Sequence, residues 1–231
     1  MTFKLISFLL YSHIKPTIFH IVKGVLFLHL IFILSTSLCV FIFNWVNPGA
    51  TGFMIWRTLN GVHNQRTLFI PRNEIPKSLK DAFIILEDHQ FYKHQGFDME
   101  GISRAMEINK KTGRYYAGGS TISQQLSRNL FLTPHKNLFR KYLEAIVTLE
   151  LELLVPKDRI LELYMNQIEF GPGIFGIGAA SYYHYKKSFY NLTRDQRLRL
   201  AVIITSPLKY GVYSFGNSPG MMYRYQFLLS R

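Results

Sequence analysis

The stretch "GVLFLHLIFILSTSLCVFIFNWV", Gly24 to Val46, contains no Asp, Glu, Lys or Arg. As a helix rising about 1.5 Å per residue it crosses the roughly 30 Å hydrocarbon core of a bilayer. Its few polar residues suit that setting. Ser35, Thr36 and Ser37 can bond back to helix carbonyls, His29 lies near one end, and Trp45 near the other fits an interfacial anchor. A cleaved signal peptide is the alternative. The run is longer than the roughly 7–15 residues of a signal core, and no A-x-A-like site follows. Lys4, Lys15 and Lys23 precede the run, and no Lys or Arg follows until Arg57. The positive-inside rule then predicts a cytoplasmic N-terminal segment at 1–23, a single transmembrane helix at 24–46 and an extracytoplasmic domain at 47–231.

This topology narrows what the charge means. Lys and Arg total 27 against 14 Asp and Glu, for a formal charge of +13. Such a surface calls for an anionic partner: nucleic acid, anionic lipid or a phosphorylated substrate. A domain facing away from the cytoplasm argues against nucleic acid. The one cysteine, Cys39, lies inside the apolar run, which excludes an intramolecular disulfide and a cysteine-based metal site.

Beyond the span the pattern is mainly helical. "NPGATG" (47–52) punctuates the exit, and residues 53–77 read as irregular. Ser78 is placed to cap a helix through Leu79, Ala82, Phe83, Ile85 and Leu86. A Gly-rich loop ends at a cap, Ser120 or Thr121, followed by a helix with Gln124, Gln125 and Leu126. "LFRKYLEAIVTLELELL" (138–154) is a long helical pattern broken by Pro156. "KDRILELYMNQI" resumes helix, "EFGPGIFGIGAAS" turns into another, and Thr193 caps an amphipathic helix over 193–205. Strand alternation is scarce.

Three clusters carry chemistry. "FIILEDHQFYKHQGFD" (83–98) ends an apolar run in Glu87-Asp88. A helix continuing past Glu87 would place Glu87, Phe91 and His94 on one face, with Asp88 about 100° away. A carboxylate beside an aromatic ring is partly desolvated and becomes a better base. The plain reading of this segment alone is a local Glu–His ion pair on a solvated turn. Glu144 lies in a helix apolar on most of its circumference, with Arg140 and Lys141 at i−4 and i−3; alone, it reads as an intrahelical ion pair. "GGSTISQQ" (118–125) puts hydroxyls at a helix start, which is either an anion or sugar site with free N–H groups or an ordinary cap.

Together, "EDHQFYKHQGFD", "GGSTISQQ", "RKYLE", "KDRILELYMN" and "FGPGIFGIGAAS" resemble, in order and near spacing, the peptidoglycan glycosyltransferases, most closely the monofunctional membrane-anchored biosynthetic form (glycosyltransferase family 51). The resemblance covers residues 53 to the C-terminus. It implies a mainly α, lysozyme-like glycosyltransferase domain behind a single N-terminal transmembrane helix, at the outer face of a bacterial cytoplasmic (inner) membrane. It implies an inverting transfer that polymerises lipid II and releases undecaprenyl diphosphate. Glu87 is then the general base, and Glu144 the second catalytic carboxylate, near the donor diphosphate, with a divalent metal, Mg2+ or Mn2+, beside it. Substrate binding falls to Asp88, Phe91, His94, Ser120, Thr121, Gln124, Gln125 and Asn166, and to the cations Arg128, Lys136, Arg140, Lys141 and Lys157. The implied partners are lipid II, the growing glycan chain, the bilayer and other cell-wall synthesis proteins. The apolar "NLFLTP" (129–134) either dips into lipid, as the resemblance implies, or is a buried helix end.

The chain departs from the family pattern in places. Ser123 stands for the usual Thr, Pro156 for the usual Ser, Met165 for the usual Leu and Gly178 for a frequent acidic residue. Arg197 and Arg199 fall where Glu and Ala are frequent, and "RYQFLLSR" (224–231) matches the last motif weakly. The sequence ends there, so no penicillin-binding transpeptidase domain, and hence no cross-linking, is expected. Two competing readings are a lytic glycan-cleaving enzyme, which also needs a catalytic Glu and a sugar cleft, and a non-catalytic glycan-binding membrane protein.

Overall fold

The computed structural model describes residues 2–66, 69–114 and 118–231, with side chains from residue 18 onward, residue 66 excepted. The architecture is mainly α. Helices α1 (Thr2–Ile42) and α2 (Gly52–Leu59) precede strand β1 (Gln65–Arg66). Then come α3 (Lys77–Glu87), α4 (Met99–Thr112), α5 (Ile122–Phe131), α6 (Leu138–Leu154) and α7 (Lys157–Gln167). Strands β2 (Glu169–Gly171) and β3 (Ile174–Phe175) lead to α8 (Gly176–Tyr185), α9 (Arg194–Ile203) and α10 (Pro219–Leu229). The strands form one small sheet in the order β1-β3-β2, with β1 parallel and β2 antiparallel to β3.

The core joins the inner faces of α3, α5, α6, α7 and α9. Phe83, Leu126, Leu151, Ile160 and Tyr164 lose nearly all their surface. In α9 the run Leu200 to Ile203 is wholly buried, so this helix is enclosed on more than the single face expected of it. Caps set the helix starts. Thr121 and Thr193 each form a reciprocal capping box, with Gln124 and Gln196.

Two local expectations change. Residues 53–77 are not irregular throughout. Thr51 accepts from the Met54 amide and starts α2, which Met54 anchors in the interior. The third helix begins at Lys77, one residue before Ser78, because Pro76 supplies a preset φ at the boundary and no side-chain cap is made.

Within α1, the segment Ile18–Ile42 is long and apolar enough to cross a membrane. The helix stops at Ile42, short of Val46, and Arg159 ties down the exit by donating to the Phe43 carbonyl (2.8 Å) and to Asn47 Oδ1 (2.7 Å). The last part of α1 lies against α6. Tyr142 Oη meets His29 Nε2 at 3.0 Å, Thr36 and Ser37 both donate to Glu150 Oε1 at 3.0 Å, and Asn44 donates to the Leu154 carbonyl at 2.9 Å. These contacts advance together along both helices, so α6 runs parallel to about four turns of α1. It carries an exposed apolar stripe of Leu138, Tyr142, Leu149 and Leu153. In contrast, Asn129, Leu130 and Leu132 are buried. The segment 129–134 is therefore a buried helix end, and the apolar surface beside the anchor belongs to α6.

Candidate active site

Helix α3 ends at Glu87. Asp88 leaves helical geometry at φ −164°, ψ 73°, so no continuous helix brings Glu87, Phe91 and His94 onto one face. The acidic pair is instead split between two tasks. Asp88 turns inward and is buried. Both its oxygens lie 2.9 Å from His94 Nε2, and Oδ2 also accepts from the Ile122 amide at 3.0 Å. His94 Nδ1 accepts from the Gly96 amide at 3.0 Å, which leaves Nε2 as the donor to Asp88. Gly96 has φ +88°, and a Cβ there would meet the Thr148 side chain at 2.8 Å, so only glycine fits. Thr121 Oγ1 donates to the Gly96 carbonyl at 2.7 Å. This knot clamps the turn after α3 to the start of α5. Phe91, fully buried, packs under it.

Glu87 is left facing the cleft. Its Oε2 accepts from Gln125 Nε2 at 3.0 Å, while Oε1 is buried and meets no donor among the described residues. Burial raises its pKa above the ordinary carboxylate value. Donation from Gln125 and the positive charge of Arg224 pull it down, Asp88 pushes it up and Arg128 pulls it down, but burial prevails. An enclosed carboxylate with one free oxygen and no ion-pair partner among the described residues is suited to take a proton.

The cleft beside it holds about 260 Å³ and is lined by Glu87, His89, Asp98, Arg104 and the loop Gly118–Thr121. Gly119 lets that loop approach α4 closely, since a Cβ would stand 2.9 Å from Ile102 Cα. Asp98 caps α4 by accepting from the Gly101 amide, and Arg104 Nη2 lies 3.3 Å from His89 Nε2.

The second carboxylate has the opposite surroundings. Glu144 is 1% exposed, with Arg140 on Oε2 and Lys141 on Oε1. Lys141 Nζ also reaches Ser120 Oγ at 3.4 Å, and the Ser120 carbonyl lies 3.4 Å from Gln125 Nε2. Ser120 therefore links the Glu144 cluster to Glu87. The expected Mg2+ or Mn2+ does not fit this donor set. Each Glu144 oxygen already holds a cationic side chain, and among the described residues no group of three His, Cys, Asp or Glu could hold an ion.

Several residues expected at the substrate are engaged in structural contacts. The α5 start is not an open anion site, because Asp88 takes the Ile122 amide, Thr121 that of Gln124, and Gln124 that of Thr121. Asp88, Phe91, His94, Thr121 and Gln124 thus build the cleft wall. Asn166 is buried and spends its amide on the Ile70 N–H and on the Ile70 and Glu162 carbonyls. Lys157 pairs with Glu152 at 2.8 Å and covers the Phe91 ring at 4.5 Å, so its charge is neutralised behind the knot. Lys136 is exposed in the turn before α6. Arg224 of α10 and Arg128 act on Glu87 through their positive charge. Sequence reasoning missed His89, Asp98, Arg104, Tyr164 and Arg224. For Arg224 the one available signal was its place in the weakly matching "RYQFLLSR".

The model of the Transglycosylase family matches residues 54–229. The chain is 48% identical over 176 residues to a biosynthetic peptidoglycan transglycosylase of Dechloromonas aromatica, an alignment covering 74% of this chain and 76% of that one. It is 42% identical over 193 residues to a protein of the same description from Nitrosospira multiformis, covering 81% and 83%. A third, from Chromobacterium violaceum, is 41% identical over 180 residues, covering 76% and 78%.

Proposed function

Because the chain belongs to the transglycosylase family, we propose that it polymerises the disaccharide of lipid II into peptidoglycan glycan strands. The observation that carries this reading is the enclosed oxygen of Glu87, unpaired among the described residues, beside a cleft lined by Arg104 and the Ser120 loop. The acceptor is the 4-hydroxyl of a lipid II N-acetylglucosamine. Its oxygen attacks C1 of the N-acetylmuramic acid at the reducing end of the donor chain. Glu87 Oε1 removes the proton, the C1–O bond to the lipid diphosphate breaks, and undecaprenyl diphosphate leaves with the electron pair. Attack opposite the leaving group inverts the anomeric centre from α to β. A positioned base of this kind contributes about 10²–10⁴ in rate.

The departing diphosphate needs positive charge. We assign that task to Arg140 and Lys141, held in place by Glu144, with Arg128 and Arg224 nearer Glu87. Glu144 itself is an anchor for cations rather than a proton acceptor. The unsuited donor set at Glu144 gives a metal no step here, and the proposal is that strand synthesis survives chelation.

Membrane placement follows the same logic. We propose a single pass through the bacterial inner membrane, with the N-terminus cytoplasmic and the cleft on the outer face. The apolar stripe of α6 beside the anchor would lie in the lipid, next to a substrate that never leaves it. The test is incubation of the detergent-solubilised full chain with lipid II. Long glycan strands are expected; short muropeptides released from preformed glycan would instead favour the lytic reading.

A further inference from the structure

Behind Glu87 a second residue contacts the far end of its hydrogen-bond partner Gln125, whose Nε2 also lies 3.4 Å from the Ser120 carbonyl. Tyr164, on α7, has no exposed surface. Its hydroxyl donates to Gln125 Oε1 at 3.0 Å, and Gln125 Nε2 donates to Glu87 Oε2 at 3.0 Å. The chain therefore runs Tyr164 to Gln125 to Glu87. A primary amide has an accepting and a donating end, and it can be turned around in the same space. An ionised carboxylate can only accept, so it wants the NH2 end. A protonated carboxyl can donate, so it is equally served by the oxygen end.

We infer that Tyr164 is a positioning residue for the proton-accepting carboxylate: by holding the oxygen of Gln125, it keeps the amide NH2 on Glu87. With the hydroxyl in place, turning the amide would leave the buried Tyr164 hydrogen without an acceptor. Tyr164 thus disfavours the arrangement that would stabilise protonated Glu87, and it keeps the base ready. The hydroxyl is a dependable donor, since burial and, next, the Glu87 charge hold it protonated far above neutral pH. The other charged groups acting on Glu87 are Asp88 at the end of α3, Arg128 on α5 and Arg224 on α10. All three remain in the variants below. This inference rests on the proposed role of Glu87, but its effect on that carboxyl can be read without turnover.

The experiment follows the Glu87 carboxyl band by infrared difference spectroscopy. The full chain in detergent is titrated with pH, and Glu87→Gln supplies the subtraction. Strand synthesis from lipid II is measured over the same pH range. In Tyr164→Phe, the Glu87 titration and the acid limb of the rate are both expected to move up by about one pH unit, the worth of one ordinary hydrogen bond. The alkaline plateau and KM should change little. Gln125→Leu should raise the titration too, and adding Tyr164→Phe to it should do nothing more, since the tyrosine acts through the amide. A 3-fluorotyrosine placed at 164 keeps the shape, is a stronger donor and should move the titration down; it carries the test if Tyr164→Phe does not fold. An unmoved titration in the folded tyrosine variants, or additive shifts with Gln125→Leu, would overturn the inference. Shifts seen in the infrared from a chain that makes no strands would leave the inference standing and overturn the polymerase reading instead.

Discussion

Glu87 and Glu144 are the same residue type, both enclosed, and the fold treats them oppositely. Glu144 sits between Arg140 and Lys141, so its charge is compensated on both oxygens. Among the described residues, Glu87 has one amide hydrogen bond, one unpartnered oxygen and only longer-range attraction from Arg224 and Arg128. A buried charge that is paired stays ionised and serves as a fixed point. A buried charge that is not paired sits at a higher energy, and taking up a proton relieves it. The difference supports the proposal that Glu87, rather than Glu144, takes the proton, and it does so without appeal to position in a motif.

The comparison breaks most visibly in rate. Glu87→Gln keeps the shape and the contact with Gln125 but cannot accept a proton, so strand synthesis should fall by about 10²–10⁴. Glu144→Gln should act first on the fold. It leaves the partly buried Arg140 and Lys141 without their counter-charge, at a cost of about 3 kcal/mol, readable in the denaturation midpoint. Any activity loss should follow the displaced cations and appear in kcat, since they are assigned to the departing diphosphate.

Stability sharpens the contrast, because the two substitutions should move it in opposite directions. The raised Glu87 pKa means that the native state binds this proton more tightly than the unfolded chain does. Its contribution is fully present below the unfolded carboxylate value and is lost as pH rises through the folded value. At neutral pH, Glu87→Gln should therefore raise the melting temperature, by roughly 2–4 °C for each kcal/mol relieved. The gain should vanish in acid. A smaller effect separates wall from site: Asn166→Ala should cost about 1–3 kcal/mol of stability through its orphaned partners, with kcat at full folding nearly unchanged. Last, chelation with EDTA should leave the strand yield within about twofold of untreated enzyme, since the Glu144 oxygens already carry their cations; a gel with and without chelator reads this.

Much of this was legible in the sequence. The apolar run marked a helix, although α1 begins well before Gly24 and stops at Ile42, the long helical pattern at 138–154 matched α6 to the residue, and the Thr193 cap and Pro156 break stand where expected. The five motifs located the cleft and the family. What the sequence hid was the direction of individual side chains. In "EDHQFYKH" a helix that ends at Glu87, rather than continuing, hands His94 to Asp88 and leaves Glu87 alone. No local rule fixes that stop, because the partners that favour it, the Ile122 amide and the Thr121 hydroxyl, are distant in sequence. Lys157 and Asn166 show the same limit: a motif position says that a residue matters, and their contacts with Glu152, Phe91 and Ile70 were not readable from it. Arg224 and Tyr164 approach Glu87 from α10 and α7, elements that only the tertiary fold brings beside α3.

The most direct measurement is strand formation from lipid II by purified Glu87→Gln, run beside wild type and Glu144→Gln at matched folded fraction. The account predicts a Glu87→Gln protein that is folded, melts higher than wild type at neutral pH and makes essentially no strands, while Glu144→Gln melts lower and keeps part of its rate. Strands from Glu87→Gln at a rate within about tenfold of wild type, below the range expected of a lost general base, would contradict the assignment of Glu87 as the proton acceptor.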